Sequence, residues 1–453
     1  MRPLATFLAA VLLTGIAPAG AAQPDTVPAL PQAQLEKLLS AYAVIKQAYV
    51  GQVDDDRLFD GALSGMLAAL DAHSQYMSKE DMQEIEREQS GEYVGIGVAV
   101  EVDHDRMRVG TVAPGSPAEH AGVQPGDVVA AIDGVPVSGM SNADVARRMH
   151  GTTGSLVALT LVSPHEGATR NVTIARAPLQ ATTVRVRMAA PGLAWIRIDE
   201  FGGTTGAELA AALSKLDADG APRGVVLDLR YNPGGMVTAA VAAAGAFLPG
   251  GSVVFRARGR AGDAESAVTV EPRYYRTAEA PGDVLANLPA WTRTVPLTVL
   301  VNGASASAAE LVAAALQDHG RARLVGTPTF GKGSIQSVVP LDAETGVKFT
   351  IARYFSPNGH EIQAHGVTPD VAAAPPAGPG ADLLPREADL ANHLPPQDAA
   401  AAPAPARSAA ESTRQFGGGD DVALKTAVAL LAGGAPAHPS ALVAHLRRWA
   451  GYP

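Results

Sequence analysis

Ser307, Lys332 and Gln336 are the residues of this 453-residue chain whose types and spacing suit covalent chemistry. They lie in the stretch VNGASASAAELVAAALQDHGRARLVGTPTFGKGSIQ, from Val301 to Gln336. An apolar run, 295–301, reads as a strand that feeds a turn of small residues, Asn302 to Ser305. A helix opens next and stops near Gly320. A second short strand, 323–325, leads to Gly331-Lys332-Gly333. A serine where a strand meets a helix can stand clear of the backbone, with free N–H groups of the helix start facing the same spot. Those donors and the positive helix end suit an oxyanion. Ser307-Ala-Ala-Glu310 is also a capping box, and on spacing alone a cap is the commoner reason for a serine there.

A serine hydroxyl needs a base, and an ordinary lysine is protonated at neutral pH. Burial among apolar groups disfavours the ammonium and lowers its pKa. Gly331 and Gly333 let the backbone pass close to other elements, which would enclose the Lys332 amine. If 332–336 is extended, Lys332, Ser334 and Gln336 share one face. Gln336 would then orient the amine without adding charge. Taken alone, Lys332 reads equally as a surface lysine beside a hairpin.

Ser-Ala-Ser307-Ala-Ala-Glu followed by Gly-Lys332-Gly-Ser-Ile-Gln336 resembles the carboxy-terminal processing (tail-specific) peptidases, whose pattern is SASASE and then TFGKGxxQ. Serine and lysine are 25 positions apart in both. The resemblance makes Ser307, not Ser305, the nucleophile, Lys332 the base and Gln336 its support. Ala309 stands where the family often has serine, which touches neither role. A further segment, Asp228-Leu-Arg230-Tyr-Asn232-Pro-Gly234-Gly235, resembles the family's oxyanion turn. It implies a backbone N–H from Gly235, in preference to Gly234, beside that of Ala308. Asp228 and Arg230 read as a structural pair. The implied fold is mixed α/β and multidomain (α+β): an N-terminal helical segment, a PDZ β-sandwich-like domain, and an α/β peptidase core of the ClpP/crotonase-like type.

The elements that must position these residues follow in chain order. Apolar residues at helical spacing (Leu35, Leu38, Leu39, Tyr42, Val44, Ile45; then Leu58, Leu63, Met66, Leu70) give helices over 31–90. Within them Gly65 to Met77 resembles the family's GMLxSLDPHSxYM, with Ala72 in place of proline; His73 reads as structural. Residues 91–178, with Pro114-Gly-Ser-Pro117 and Gly122-Val-Gln-Pro-Gly126-Asp127, resemble a circularly permuted bacterial PDZ domain. Such domains add a chain's C-terminus as a strand and hold its carboxylate on backbone amides. Tyr93, Val94, Gly95, Ile96 and Gly97 form the expected carboxylate loop. A helix over 140–150, with Val145 and Met149 on one face, would line the groove. The peptidase core is expected over 179–371. Within it 253–294 reads as an irregular, charged, solvent-facing insertion. A flexible Ala/Pro-rich linker is expected over 372–417, and terminal helices over 418–453 that return to the core or pair chains.

Composition limits the remaining classes. Apolar residues make up 47% and charged ones 18%, which suits a soluble protein with a sizeable core. A formal charge of −10 argues against nucleic acid as a partner. There is no cysteine, hence no disulfide, thiolate metal site or cysteine nucleophile. The eleven histidines show no metal spacing, and no cofactor is expected. A basic start, the apolar run 4–16 and Ala19-Gly-Ala21 read as a cleaved signal peptide, 1–21, that sends the chain to the periplasm without a lasting membrane span. A Ser-His-Asp hydrolase is the rival mechanism, through Asp318 with His319, His360 or His365. His319 lies twelve residues from Ser307 along one helix, about 18 Å, too far to serve. The expected activity is a periplasmic serine endopeptidase whose partners are proteins with exposed C-termini. A homo-oligomer or adaptor is compatible with it. The alternative is a catalytically silent, PDZ-containing peptide-binding scaffold.

Overall fold

The computed structural model describes residues 31–433 apart from 91, 104–105, 114, 139, 141, 150, 164–166, 181, 261–264, 277–281, 375–382, 398–406 and 410–420. The expected signal peptide, much of the Ala/Pro-rich stretch and the last expected helix lie outside the described residues. The chain divides into two units, Glu84–Thr182 and the remainder, Met1–Gln83 with Thr183–Pro453.

The smaller unit is a β domain. Strands Val98–Asp103, Arg106–Val112, Val128–Ile132, Leu156–Val162 and Thr169–Ala175 form an antiparallel sheet in that order. Val135–Pro136 pairs with Val128–Ile132, and a separate ribbon joins Glu92–Gly95 to Ala177–Gln180. Alternation sets the core: Val157, Leu159 and Leu161 point inward from one strand, against Met107, Val109, Val129 and Ile132. The helix Asn142–Met149 presents Val145 and Met149 on one face, as expected, but that face is buried in the unit's own core. Arg176 ends this helix by donating to the carbonyls of Arg148 at 2.7 Å and Met149 at 2.9 Å. A cation there matches the negative helix end.

The larger unit is built on a six-stranded sheet in the order Val184–Ala190, Leu193–Ile198, Gly224–Asp228, Leu297–Val301, Arg323–Gly326, Val371–Ala372. The first pair is antiparallel and the rest parallel. Every residue of Leu193–Ile198, Gly224–Asp228 and Leu297–Val301 is buried, because both faces are covered. Ala194, Ile196, Val225, Leu227, Val299 and Val301 face the helices Thr205–Ala218, Val237–Phe247 and Ala308–Asp318. Trp195, Val226, Leu300 and Val325 face the C-terminal helix Val422–Leu431, through Leu424, Ala427 and Val428. That helix therefore returns to the core, the first of the two alternatives.

A second, antiparallel sheet runs Gln75–Met77, Gly346–Phe355, Val253–Arg258, Ser266–Thr269, with Ser334–Pro340 also paired to Gly346–Phe355. This corrects the reading of 253–294 as a solvent-facing insertion. Phe255 and Ala257 point into the main core, while Arg256 and Arg258 point outward to Glu265. The arginines disguise a half-buried strand, and Val268, Val270, Tyr275 and Leu285 add to its core.

The N-terminal helices are Gln32–Ala48, Asp55–Ala68 and Lys79–Ser90. Helical spacing in the first does not build a core: no residue of it is buried, and Leu35, Leu38 and Leu39 are exposed. The linker expectation also needs correction. Described residues inside it are docked on the core: the Glu387 N–H donates to the Phe330 carbonyl at 3.1 Å, and the Gln397 N–H to Glu361 Oε2 at 2.8 Å. Frequent prolines interrupt helices and strands there, but that does not mean freedom from contact.

Candidate active site

The buried strand Leu297–Val301 ends in a turn whose hydrogen bonds separate its two serines. The Ser305 hydroxyl is fully buried, donates to the Leu229 carbonyl at 2.8 Å and accepts the Asn302 N–H at 2.9 Å. Asn302 Oδ1 in turn accepts the N–H groups of Tyr231 at 3.1 Å and Ala304 at 3.2 Å. Ser305 is thus a brace. Ser307 is partly buried and sits at φ 53, ψ −116, immediately before the helix Ala308–Asp318. Its side chain faces the helix start as a capping box requires, yet makes no cap hydrogen bond. The Glu310 N–H lies 2.8 Å from the Ser307 carbonyl instead. A non-glycine residue in this region is strained by about 1–3 kcal/mol, a cost tolerated mainly at functional sites. Replacing Ser305 by alanine should leave the buried Asn302 N–H unpaired, take one of two donors from the Leu229 carbonyl, and lower stability by about 1–3 kcal/mol, with kcat within a few-fold of wild type. Thermal melts with a proteolysis assay check this; loss of activity in a stable Ser305→Ala protein would reassign the nucleophile.

The turn Asn232–Gly235 lies directly against Ser307. The Ala306 N–H donates to the Asn232 carbonyl at 2.9 Å, and Asn232 Nδ2 to the Ile198 carbonyl at 2.9 Å. A Cβ on Gly234 would come 2.8 Å from Ser307 Cβ and 3.0 Å from the Ala308 nitrogen. One on Gly235 would meet the Phe201 carbonyl oxygen at 2.3 Å. Both glycines have positive φ, at 105 and 122. Tyr231, just before them, is also left-handed at φ 57. The Gly234 N–H is engaged by Asn232 Oδ1 at 2.8 Å, whereas the N–H groups of Gly235 and Ala308 bond to no described residue. Two free donors therefore remain beside Ser307.

The lysine loop reaches the same place from the other side, and Glu310 joins the two. Glu310 Oε2 accepts the Ser307 N–H at 2.8 Å and the Lys332 N–H at 2.9 Å. Its Oε1 accepts the Gly331 N–H at 2.7 Å and the Thr329 hydroxyl at 2.5 Å. One carboxylate thus pins the backbones of Ser307 and Lys332 to a single oxygen. Glu310 is fully buried. Burial pushes its carboxyl up to about 7, against the downward pull of Thr329, Gly331, Ser307 and Lys332. All four partners are donors, so the ionised form is the one that this pocket accommodates. The spacing Ser307-Ala-Ala-Glu310 signalled a helix cap; nothing in the sequence signalled its second function at Gly331 and Lys332.

Lys332 is partly buried, and its amine makes no hydrogen bond or ion pair with a described residue. Burial lowers its pKa below the ordinary lysine value, Lys348 lowers it further, and Glu387, Glu310 and Asp71 oppose the change. Gln336 is partly buried on the strand Ser334–Pro340, and its amide donates to Ser334 Oγ at 2.9 Å and Thr350 Oγ1 at 3.3 Å. The backbones of Ser307 and Lys332 are brought together, but no hydrogen bond joins the Ser307 hydroxyl to the amine, or the amine to Gln336, among the described residues.

None of the rival histidines serves Ser307 in this structure. His319 Nε2 lies 2.8 Å from the Val253 carbonyl. Asp318 accepts the Ser356 hydroxyl at 2.5 Å and the Asn358 N–H at 2.8 Å, and His360 stands 4.0 Å from it. The His365 backbone N–H donates to the Ile362 carbonyl, and its ring bonds to no described residue. His73 Nε2 is 2.8 Å from Glu387 Oε2. No described histidine bonds to Ser307, and no group of three metal-ligating side chains occurs among the described residues.

In the smaller unit, Tyr93, Val94 and Gly95 continue the strand Glu92–Gly95, and Ile96 is buried. Gly97 has φ 85, and a Cβ on it would meet Ser116 Cβ at 2.2 Å, so only glycine fits. The carbonyls of Ile96 and Gly97 accept the N–H groups of Ala118 at 2.9 Å and Ala113 at 2.8 Å. The N–H groups of Ile96 and Gly97 donate to no described residue.

Comparison with known proteins identifies the family. The profile of peptidase family S41 matches residues 192–373, that of a PDZ domain residues 108–163, and that of the activating protease CtpB N-terminal domain residues 17–81. A carboxy-terminal-processing protease of Bartonella bacilliformis is 33% identical over 368 residues, covering 80% of this chain and 80% of that protein. The chain belongs to peptidase family S41. A second member, the carboxy-terminal processing protease CtpA of Bacillus subtilis, is 33% identical over 344 residues, 76% of this chain and 70% of that one. Among solved structures, the photosystem II D1 C-terminal processing protease is 30% identical, covers 74% of this chain and 86% of its own, and gives a TM-score of 0.44. The S41 member described here is therefore a carboxy-terminal-processing serine peptidase of mixed α/β fold that carries a PDZ domain. No helix among its described residues is long and apolar enough to cross a membrane.

Proposed function

We propose that this S41 peptidase cuts peptide bonds with a Ser307/Lys332 dyad. The observation that carries the reading is the Glu310 carboxylate, one of whose oxygens holds the Ser307 and Lys332 N–H groups at 2.8 and 2.9 Å. The Lys332 amine, its pKa lowered by burial, takes the hydroxyl proton as Ser307 Oγ bonds to the substrate carbonyl carbon. The N–H groups of Ala308 and Gly235 receive the oxyanion, which their lack of other partners favours. As the tetrahedral intermediate collapses, the C–N bond breaks and the Lys332 ammonium returns a proton to the leaving amine. Water then attacks the acyl-enzyme: Lys332 takes its proton and passes one to Ser307 Oγ, releasing the new carboxylate. Apo hydrogen bonds between such groups are often long and tighten only with substrate bound. Gln336 turns from Ser334 and Thr350 toward the amine in that complex.

The PDZ domain selects the substrates. The free N–H groups of Ile96 and Gly97, after the strand that begins at Tyr93, suit a terminal carboxylate, with the peptide added as a strand. Residues 1–21 act as a cleaved signal, which places the enzyme in the periplasm. The exposed leucines of Gln32–Ala48 offer a surface for a second copy or an adaptor. The test is incubation of purified wild type, Ser307→Ala and Lys332→Ala with an unfolded polypeptide. Cleavage by wild type should fall by about 10⁴-fold or more in both variants. Equal cleavage by all three would overturn the dyad. A wild type that binds tails tightly and cuts nothing would favour the scaffold.

A further inference from the structure

The segment expected to be a free linker delivers a buried acid to the lysine loop. Glu387, in the short turn Glu387–Asp389, is fully buried. Its Oε2 lies 2.8 Å from His73 Nε2, and its Oε1 accepts the Gln363 amide at 2.8 Å. Gln363, also fully buried, accepts the Gly333 N–H on Oε1 at 2.9 Å and donates to the Leu394 carbonyl at 3.1 Å. Gly333 packs so closely there that a Cβ would come 2.2 Å from the Gln363 nitrogen. A continuous buried relay thus runs from His73 through Glu387 and Gln363 to the residue after Lys332.

We propose that Glu387 is a positioning residue for Lys332: through Gln363 it fixes the loop that carries the amine, and it adds a buried carboxylate to the surroundings of that loop. This rests on the dyad reading above. The charged groups that face the amine are Lys348, Glu387, Glu310 and Asp71. Lys348 disfavours the ammonium, and the three carboxylates favour it. Glu310 is committed to four donors on the two catalytic turns. Asp71 accepts the His73 N–H at 2.8 Å and the Ser74 hydroxyl at 2.9 Å. Arg386, next in sequence, faces Asp389 and Glu310. Glu387 alone of the three carboxylates has a titratable side chain as its partner, and it alone connects to the loop through a replaceable amide.

The sign follows directly. A carboxylate stabilises a nearby ammonium, so removing the Glu387 charge lets Lys332 lose its proton at lower pH. The experiment compares kcat against pH for wild type, Glu387→Gln, Gln363→Met, Ser307→Ala and Lys332→Ala on one unfolded polypeptide. Glu387→Gln keeps the shape and an acceptor for Gln363. Its acid limb should move to lower pH, with plateau kcat and KM within about twofold of wild type. Gln363→Met cuts the link to Gly333 but spares the charge, so plateau kcat should fall roughly tenfold to a hundredfold with the limb unmoved. A merely structural role would move neither limb. Activity of Lys332→Ala equal to wild type would overturn the dyad and this inference with it. Inactive Ser307→Ala and Lys332→Ala beside a Glu387→Gln protein that unfolds, or whose limb stays in place, would overturn this inference alone.

Discussion

Glu310→Ala should lower kcat by about a hundredfold or more while KM changes little. The variant leaves the Ser307 and Lys332 side chains in place and removes what aligns them. Three backbone N–H groups and the Thr329 hydroxyl lose their acceptor at once. Each buried donor left unpaired costs about 1–3 kcal/mol, which water entering the vacated space offsets in part. The nucleophile and base turns then drift independently, and a misplacement of about 1 Å suffices for a loss of about a hundredfold. Glu310→Gln sharpens the test. Its amide keeps one oxygen acceptor but, in either orientation, turns its NH₂ toward at least one N–H donor, Gly331 or the pair Ser307 and Lys332, so kcat should fall at least tenfold. Glu310→Asp, one methylene shorter, should fail to reach both turns. Steady-state kinetics with thermal melts would decide. Wild-type kcat in a folded Glu310→Gln protein would show that the shared carboxylate does not organise the site.

The second large effect is on stability, far from the nucleophile in sequence. Arg230 is almost wholly buried between Asp228, at 2.6 and 3.0 Å, and Asp421, at 2.7 and 2.9 Å. Both carboxylates raise its pKa, with Asp228 the stronger, and outweigh the opposing effect of burial, so it stays charged. Asp421 is also the N-cap of Val422–Leu431, accepting the Leu424 N–H at 2.9 Å. Asp421→Ala therefore strips a carboxylate from a buried cation and uncaps the helix that covers Trp195 and Leu300. Removing one partner of a buried pair costs about 3–5 kcal/mol, and a cap about 1 kcal/mol. The melting transition of the larger unit should drop by roughly 10 °C or more. Asp421→Asn, which keeps the cap oxygen, should lose less. Calorimetry that finds Asp421→Ala as stable as wild type would show that the C-terminal helix is not held this way.

Several of these features were legible in the sequence, for local reasons. The parallel strands could be read because burial on both faces leaves unbroken apolar runs, as in Val225 to Leu227. The motif singled out Ser307 and Lys332, whose backbones one carboxylate holds together, and the local turn chemistry explains why Ser305 is the brace. Where the reading failed, long-range contacts decided. Arg256 and Arg258 hid a strand whose partner, Gly346–Phe355, lies almost a hundred residues away. The three-residue strand Gln75–Met77 exists only because the same partner offers an edge. Glu387 sits in a stretch whose composition suggests no structure, and its burial depends on His73 and Gln363, distant in the chain. Glu310 announced a helix start through a three-residue spacing, but its contact with the lysine loop crosses an entire helix and strand.

The most direct test is covalent labelling of Ser307 by a fluorophosphonate, followed by mass spectrometry as a function of pH. The Ser307 Oγ–P bond forms as fluoride leaves, so the rate reports activation of that hydroxyl without the need for a natural substrate. In wild type we expect labelling at Ser307 and not at Ser305, with a rate that rises through one deprotonation below the ordinary lysine value of about 10.4. In Lys332→Ala that rise should vanish. Labelling of Ser307 in Lys332→Ala at the wild-type rate and with the same pH dependence would contradict the assignment of Lys332 as the base.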